Sequence, residues 1–158
     1  MSETTGRKTR SRDTAAAGAP RAQDVTTAVL RTADQLRRSV AAALAPHGIT
    51  SQQYNVLRIL RGAHPHPLPT LEIAARMIEQ TPGITRLLDR LEALKLARRE
   101  RGVDDRRLVE CRITTAGLGL LAELDAPIDV ANRRAVRSLD AAERRSLVHL
   151  LELVRDDA

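Results

Sequence analysis

The sequence predicts a mainly α-helical protein that carries one small β-hairpin. Through most of the chain after residue 24, apolar residues recur at three- and four-residue steps, the spacing of one helix face. One short segment differs, because Val109, Cys111 and Ile113 alternate with charged residues in the two-residue period of a strand. The chain has no Trp, no Phe and one Tyr, so its core must be aliphatic, which suits packed helices.

The 158 residues suit a single compact domain with a moderate core, which a partner chain could complete. Residues 1–21 lack an apolar period and carry five basic and two acidic side chains, so they are predicted to form a disordered basic tail. Residues 22–158 are predicted to form the domain. A single cysteine excludes an internal disulfide, and no run resembles a signal peptide or a membrane span, so the expected location is the cytoplasm.

Two helices are predicted in the first part of the domain, over about 24–46 and about 50–62. Thr50 or Ser51 can cap the second of them, because a hydroxyl can accept a backbone N–H at a helix start. A loop with three prolines should then separate this pair from the next helix.

Residues 70–95 are predicted to form two further helices with a tight junction. Thr81-Pro82 marks the start of the second, since proline is well tolerated at the first helical position. Each helix has its own apolar face: Leu71, Ile73, Ala74 and Met77 in the first, and Ile84, Leu87, Leu88, Leu91 and Leu94 in the second.

The remaining elements are a hairpin and two helices. The charged stretch 97–101 and the alternating residues 109–113 are predicted to pair across a turn that contains Gly102. Thr114 can cap the next helix, which Pro127 should bend or interrupt, and Asp140 can cap the last one.

A helix, a tight junction, a second helix, a charged hairpin and a third helix form the order of a winged helix-turn-helix unit. Such a unit needs small polar and basic side chains near the start of its second helix, where they can reach base edges. It also needs positive charge at the hairpin tip, which can reach the DNA backbone or the minor groove. Gln80, Thr81, Thr85 and Arg86 fit the first requirement, and Arg106 and Arg107 fit the second.

Three motifs in this order carry a resemblance to a known family. They are TPGITRLLDRLE at residues 81–92, DRR at 105–107 and ITTAG at 113–117. They resemble the recognition helix, the Asp-x-Arg wing motif and the strand-to-helix exit of the MarR family of bacterial regulators. By order of elements, the resemblance covers roughly residues 25–155.

The resemblance implies a homodimer that binds a pseudo-palindromic operator in double-stranded DNA. The helices at about 24–46 and about 114–156 would form the dimer, and a lobe at about 50–113 would place its recognition helix in the major groove. A regulator of this kind, expected to be a repressor with an activator as the alternative, would release DNA when a small aromatic or phenolic molecule binds between the dimer region and the lobe. The DNA contacts are then predicted to be Gln80, Thr81, Pro82, Thr85, Arg86, Arg90, Asp105, Arg106 and Arg107.

Within this set, each residue has its own expected role. Arg86 is the candidate for base readout, and Arg90, one turn later, should meet phosphate or pair with a carboxylate. If the wing motif applies, Arg107 enters the minor groove and Asp105 holds its guanidinium in position.

Two positions depart from the family pattern. Lys95 stands where the recognition helix often ends in Gly, so a left-handed residue there would cost about 1 kcal/mol or the helix would end in another way. The junction between the two helices holds Met77-Ile78-Glu79 rather than the usual Gly, which leaves its turn geometry open.

Other residues favour structural interpretations. His64 and His66 lie among prolines without nearby acidic residues, so they are interpreted as loop residues rather than metal ligands. Cys111 is interpreted as a small core residue, and Tyr54 as a core residue that could alternatively anchor a ligand.

Alternatives to the regulator hypothesis are weaker. The basic tail would suit an architectural DNA-compacting protein, and the fold could serve a small-molecule-binding module that has lost its DNA contacts. An enzyme is not expected, and neither is a cofactor, because the chain shows no nucleophile-base pair, phosphate-binding Gly loop or carboxylate constellation.

Overall fold

The computed structural model describes residues 19–79, 83–102 and 109–156. These residues form a mainly helical fold with a small antiparallel sheet, which confirms the predicted fold class. In chain order the elements are α1 (Ala22–Leu44), a 3₁₀ turn (Ala45–His47), α2 (Ser51–Ala63), β1 (Leu68–Pro69), α3 (Thr70–Ala75), α4 (Ile84–Ala93), β2 (Ala97–Arg101), β3 (Val109–Ile113), α5 (Thr115–Ala135) and α6 (Ala141–Asp156).

The chain divides into two compact units, the first ending at Asp34 and the second beginning at Gln35, within α1. The described part of the first unit is the N-terminal half of this helix with the few residues before it. The helix start is held by Arg21, whose Nε lies 3.1 Å from the Asp24 carboxylate and whose hydrogen bonds lower the pKa of that carboxyl. The second unit contains the rest of α1 and all the other elements.

Side-chain caps start three of the helices of the second unit. At α2 the hydroxyl of Thr50 accepts the N–H of Gln53 at 3.2 Å, and Gln53 Oε1 accepts the N–H of Thr50 at 2.8 Å, so Thr50 rather than Ser51 is the cap. Thr114 caps α5, and Asp140 caps α6 by accepting two backbone N–H groups. Both of these caps agree with the prediction from sequence.

The sheet has three strands in the order β1-β3-β2, whereas the sequence predicts a two-stranded hairpin. β2 and β3 pair in antiparallel register, with Ala97 opposite Ile113 and Arg99 opposite Cys111. The additional strand pairs Leu68 with Cys111 from the other side. Two residues are too few to show an alternating pattern, and the prolines around them indicate a loop.

An aliphatic core fills the space between α2, α4, α5 and the buried face of β3. Cys111 is completely buried in it, as expected of a core residue, and burial raises the pKa of its thiol. The fully buried members of largest volume are Leu44, Leu57, Leu60, Ile73, Leu88, Leu91, Leu121, Leu124, Val56 and Cys111.

Some sequence expectations about helix faces and ends are wrong. α3 ends at Ala75, and Leu71 on its predicted apolar face is 80% exposed. Val109 and Leu94 are also exposed, because each lies at an end of its element, beyond the core. Of the bend or break expected at Pro127, the break is absent: α5 continues through Pro127, since buried residues on both sides pack the helix against the core despite the missing N–H.

Gly117 allows α5 to approach the turn between α4 and β2. A Cβ at this position would lie 2.2 Å from the carbonyl oxygen of Leu96 and 2.7 Å from Cγ1 of Ile113. Backbone cannot yield as a flexible side chain can, so any residue larger than glycine would push the helix away from the turn.

We therefore expect Gly117→Ala to lower the free energy of unfolding by about 1–3 kcal/mol, the usual cost of overpacking. Gly119→Ala, in the same helix and facing open space, is the matched control and should raise stability by about 0.5–1 kcal/mol through helix propensity. Urea unfolding followed by circular dichroism measures both. Equal effects of the two substitutions would show that the close approach does not limit packing.

Candidate DNA-binding surface

The helix predicted to read DNA, α4, presents two arginines on its exposed side. Gly83 precedes it with φ +110°, a left-handed conformation that lets the helix begin at Ile84. Leu88 and Leu91 are buried and fix the inner face, whereas Thr85, Arg86 and Arg90 are exposed. Among the described residues no carboxylate pairs with Arg86 or Arg90. The other predicted contacts in this region, Gln80, Thr81 and Pro82, and with them the predicted helix start, lie outside the described residues.

The junction between α3 and α4 is held by side chains from two other helices. The N–H of Ile78 donates to Oδ1 of Asn55 in α2 at 3.2 Å. Nε of Arg37 in α1 lies 2.8 Å from a carboxylate oxygen of Glu79. These contacts hold residues 78 and 79, in the stretch where the family pattern suggests a glycine, and no local pattern in the sequence indicates either partner.

The end of α4 is a left-handed turn at Lys95, with φ 59°. The N–H of Leu96 donates to the carbonyl of Leu91 at 2.9 Å, and the N–H of Lys95 to the carbonyl of Glu92 at 2.8 Å. This is the hydrogen-bond pattern of a Schellman ending, in which glycine is the usual left-handed residue. Of the two possibilities left open by the sequence, the chain therefore adopts the left-handed cap, at a cost of about 1 kcal/mol.

Arg99 joins the outer end of α4 to strand β2. Its Nε and terminal nitrogen lie 2.9 and 2.7 Å from Oε2 of Glu92, and the same terminal nitrogen lies 2.6 Å from the Asp89 carboxylate. The backbone N–H of Arg99 also donates to Glu92, at 3.0 Å. These bonds, the backbone one most of all, lower the pKa of Glu92, and the bond with Glu92 raises the pKa of Arg99.

A charge pair links the two strands of the hairpin near its base. Nε of Arg112 donates to Glu100 at 2.6 Å. This attraction offsets the repulsion between like charges that face each other across the strands, Glu100 opposite Glu110 and Arg98 opposite Arg112. Arg98 and Arg101 on β2 are exposed. The predicted wing residues Asp105, Arg106 and Arg107 lie outside the described residues.

Comparison with known proteins agrees with this geometry. A profile of the MarR family matches residues 47–108. A MarR transcription factor from Planctomyces limnophilus has a crystal structure that is 36% identical, with a TM-score of 0.67 over 87% of this chain and 99% of that one. The chain belongs to the MarR family. Its members in these comparisons are transcriptional regulators, so this chain is a MarR-type regulator and not an enzyme.

Other proteins are similar to this chain in sequence or in fold. TtmR, an HTH-type transcriptional regulator from Methylorubrum extorquens, is 34% identical over 82% of this chain, which spans only 65% of the relative's length. BpsR from Bordetella bronchiseptica, whose DNA binding is regulated by 6-hydroxynicotinic acid, has 23% identity and a TM-score of 0.76 over 88% and 99% of the two chains. Further relatives, 27% to 29% identical, are named repressors.

A small, partly open cavity lies behind α4 of this MarR protein. Its volume is about 220 Å³, and two threonines, one arginine and two apolar residues line it. The lining residues are Thr70, Thr85, Leu88, Arg99 and Val109. Tyr54, the sequence candidate for a ligand anchor, does not line it but is buried in the core, with Arg58 5.9 Å from the centre of its ring.

The loop after α2 carries the two histidines that the sequence sets among prolines. His64 and His66 are exposed there, and no group of three acidic, Cys or His side chains within residues 19–79, 83–102 and 109–156 could hold a metal ion. In the same ranges, no helix combines the length and the apolar character that crossing a bilayer requires.

Proposed function

We propose that this MarR protein is a homodimeric, sequence-specific regulator of transcription, acting as a repressor that a small aromatic acid or phenol releases from its operator. The observation that carries the DNA-binding part is the arrangement of charges on α4. The helix has two arginines and two carboxylates, but both carboxylates are engaged by Arg99, so Arg86 and Arg90 remain available to DNA. The relatives named repressors support the sign of regulation.

Each predicted contact has a place in this proposal. Arg86, in the first turn of α4, suits bidentate readout of a guanine in the major groove, and Thr85 beside it suits a shorter contact. Arg90 lies one turn further and suits a phosphate. Gln80, Thr81 and Pro82 would extend the contact at the helix start, and Asp105, Arg106 and Arg107 would contact the neighbouring minor groove.

The dimer is inferred from apolar side chains that the chain leaves uncovered. α6 has no buried residue, although Leu147, Leu150, Leu151 and Val154 follow the spacing of one helix face. In the first unit, Val25, Val29 and Leu30 of α1 are also exposed. A monomer in water rarely leaves so many large aliphatic side chains uncovered, so a second copy is the proposed cover.

The effector is inferred from the cavity behind α4, which lies within the lobe at about 50–113 rather than between the lobe and the dimer region, where the resemblance implies a ligand. Its volume of about 220 Å³ is below the range for drug-sized ligands, so a molecule with a single ring fits it better. Arg99 suits a carboxylate or phenolate, the two threonines suit hydroxyl groups, and Leu88 and Val109 suit an aromatic ring. A bound anion would compete with Asp89 and Glu92 for Arg99 and so loosen the helix that carries the DNA contacts. The regulation of BpsR by a hydroxylated aromatic acid supports this class of ligand.

The two arginines of α4 provide the test of DNA recognition. Arg86→Ala should weaken binding to the selected operator and relax preference at one base pair in each half-site, because a base contact is lost. Arg90→Ala should weaken binding to all sequences alike, because a phosphate contact carries no sequence information. Selection of binding sites from a random pool, followed by gel-shift titration, measures both. A wild-type protein that coats DNA without preference would support the architectural alternative instead.

The oligomeric state tests the dimer. Light scattering should give the mass of two chains, and Leu150→Glu should reduce it to one, because a charge would be buried in the apolar interface. Leu71→Glu, which changes a still more exposed leucine outside the proposed interface, should leave the dimer intact. A concentration-independent monomer that still binds its operator tightly would refute the proposal.

Filling the cavity tests the effector site. Val109→Phe should keep operator binding but abolish its release by hydroxylated benzoic and nicotinic acids, since the larger side chain occupies the ligand's space. Val109→Ala, which leaves the space open, should retain the response. Release that persists unchanged in Val109→Phe would place the effector site elsewhere.

A further inference from the structure

Arg99 lies where the recognition helix and the wing meet. It belongs to β2, which is an edge strand, and the two side chains that it engages belong to the second half of α4. Its side chain is 29% exposed, so the ion pairs are partly shielded from water. Since the backbone N–H of the same residue also donates to Glu92, the strand and the helix are joined by main chain and side chain together.

The three bonds to Glu92 restrict the helix more than a single ion pair would. One oxygen of the Glu92 carboxylate accepts a hydrogen bond from the backbone N–H of Arg99, and the other accepts hydrogen bonds from two nitrogens of the guanidinium. The carboxylate therefore cannot rotate without breaking at least one of these hydrogen bonds. Asp89, one turn earlier on the same side of α4, provides a second attachment. Two attachments along a helix resist rotation about its axis as well as translation.

The cluster also controls which charges α4 presents. Asp89 is three residues after Arg86, a spacing at which the two side chains could pair on the helix surface. With Asp89 turned toward Arg99, that competing pair is not formed, and Arg86 stays free of carboxylate partners among the described residues. Arg99 thus orients the helix and keeps its base-reading arginine available.

We propose that Arg99 is a positioning residue for operator recognition, which fixes α4 against the wing through Glu92 and Asp89 without itself reading a base. This proposal rests on the proposed DNA-binding function and adds to it the residue that sets the geometry of reading. When the cluster is disrupted, the ratio of operator affinity to random-sequence affinity should fall. A change in the position of α4 weakens only the sequence-specific contacts, whereas a change in charge alters the affinity for all DNA alike.

The decisive variant is Glu92→Gln, for which electrostatics and positioning predict opposite results. Removing a negative charge near DNA should tighten binding to every sequence if charge alone matters. If the cluster positions α4, operator affinity should fall about tenfold while random-sequence affinity stays equal or rises. Gel-shift titrations against a selected operator and a scrambled duplex of the same composition measure the ratio.

Arg99 variants complete the experiment. Arg99→Gln and Arg99→Lys should both lower the ratio about tenfold, the second because the single nitrogen of a lysine cannot also make the bond that Nε of Arg99 makes to Glu92. Arg101→Gln is the matched control, since it removes the same charge from the same strand without touching α4, and it should weaken both affinities equally. Circular dichroism melting verifies that each variant is folded, and if Arg99→Gln does not fold, Glu92→Gln decides.

Two different failures can be distinguished. If the wild-type protein selects an operator but Glu92→Gln and Arg99→Lys keep its specificity ratio, the positioning role is wrong and the DNA-binding function stands. If the wild-type protein shows no sequence preference, the proposed function fails, and the positioning role fails with it.

Discussion

The turn at Lys95 and Leu96 is the constraint on which the arrangement of α4, the sheet and α5 depends. It ends α4, and its two residues lead directly into β2. The carbonyl of Lys95 accepts the hydroxyl of Thr114 at 2.7 Å, and the carbonyl of Leu96 accepts the N–H of Thr114 at 3.1 Å. Gly117 then packs against the same carbonyl of Leu96. One tight turn therefore sets the relative positions of α4, the sheet and α5.

The charges around this turn form two groups with different tasks. Arg99, Arg112 and their carboxylate partners connect elements within the lobe and are partly shielded from water. Arg86 and Arg90 point outward and have no such partners among the described residues. A modest net charge of +6 is thus compatible with two arginines on the exposed face of α4 that pair with no carboxylate among the described residues, because other arginines pair with carboxylates within the structure.

Local signals in the sequence predict much of this fold. The caps at Thr50, Thr114 and Asp140 follow from rules that involve residues two or three positions apart, and the helical periods follow from the same short range. Strand β1 could not be predicted, because its two residues depend on a partner more than forty positions later. Neither the length of a segment nor the residues of its turns reveal that it pairs with a strand so far away in the sequence.

In the candidate site, too, some residues could be predicted from local sequence and others could not. Arg86 and Arg90 could be recognised from helical spacing and motif, and the structure places both on the exposed face of α4. Asn55, Arg37 and Arg99 could not, because each acts on an element far away in sequence or across a turn whose shape the sequence leaves open. Their roles depend on geometry that only the folded chain supplies.

The aliphatic composition of the core has a spectroscopic consequence. Tyr54 is the only aromatic side chain among Phe, Trp and Tyr, and it is buried in α2 beneath Arg58. Near-ultraviolet absorption and intrinsic fluorescence of the protein therefore come from one position in the interior. An aromatic effector or an added tryptophan would be observed almost without background, whereas unfolding of α2 would be visible through a single, naturally placed reporter.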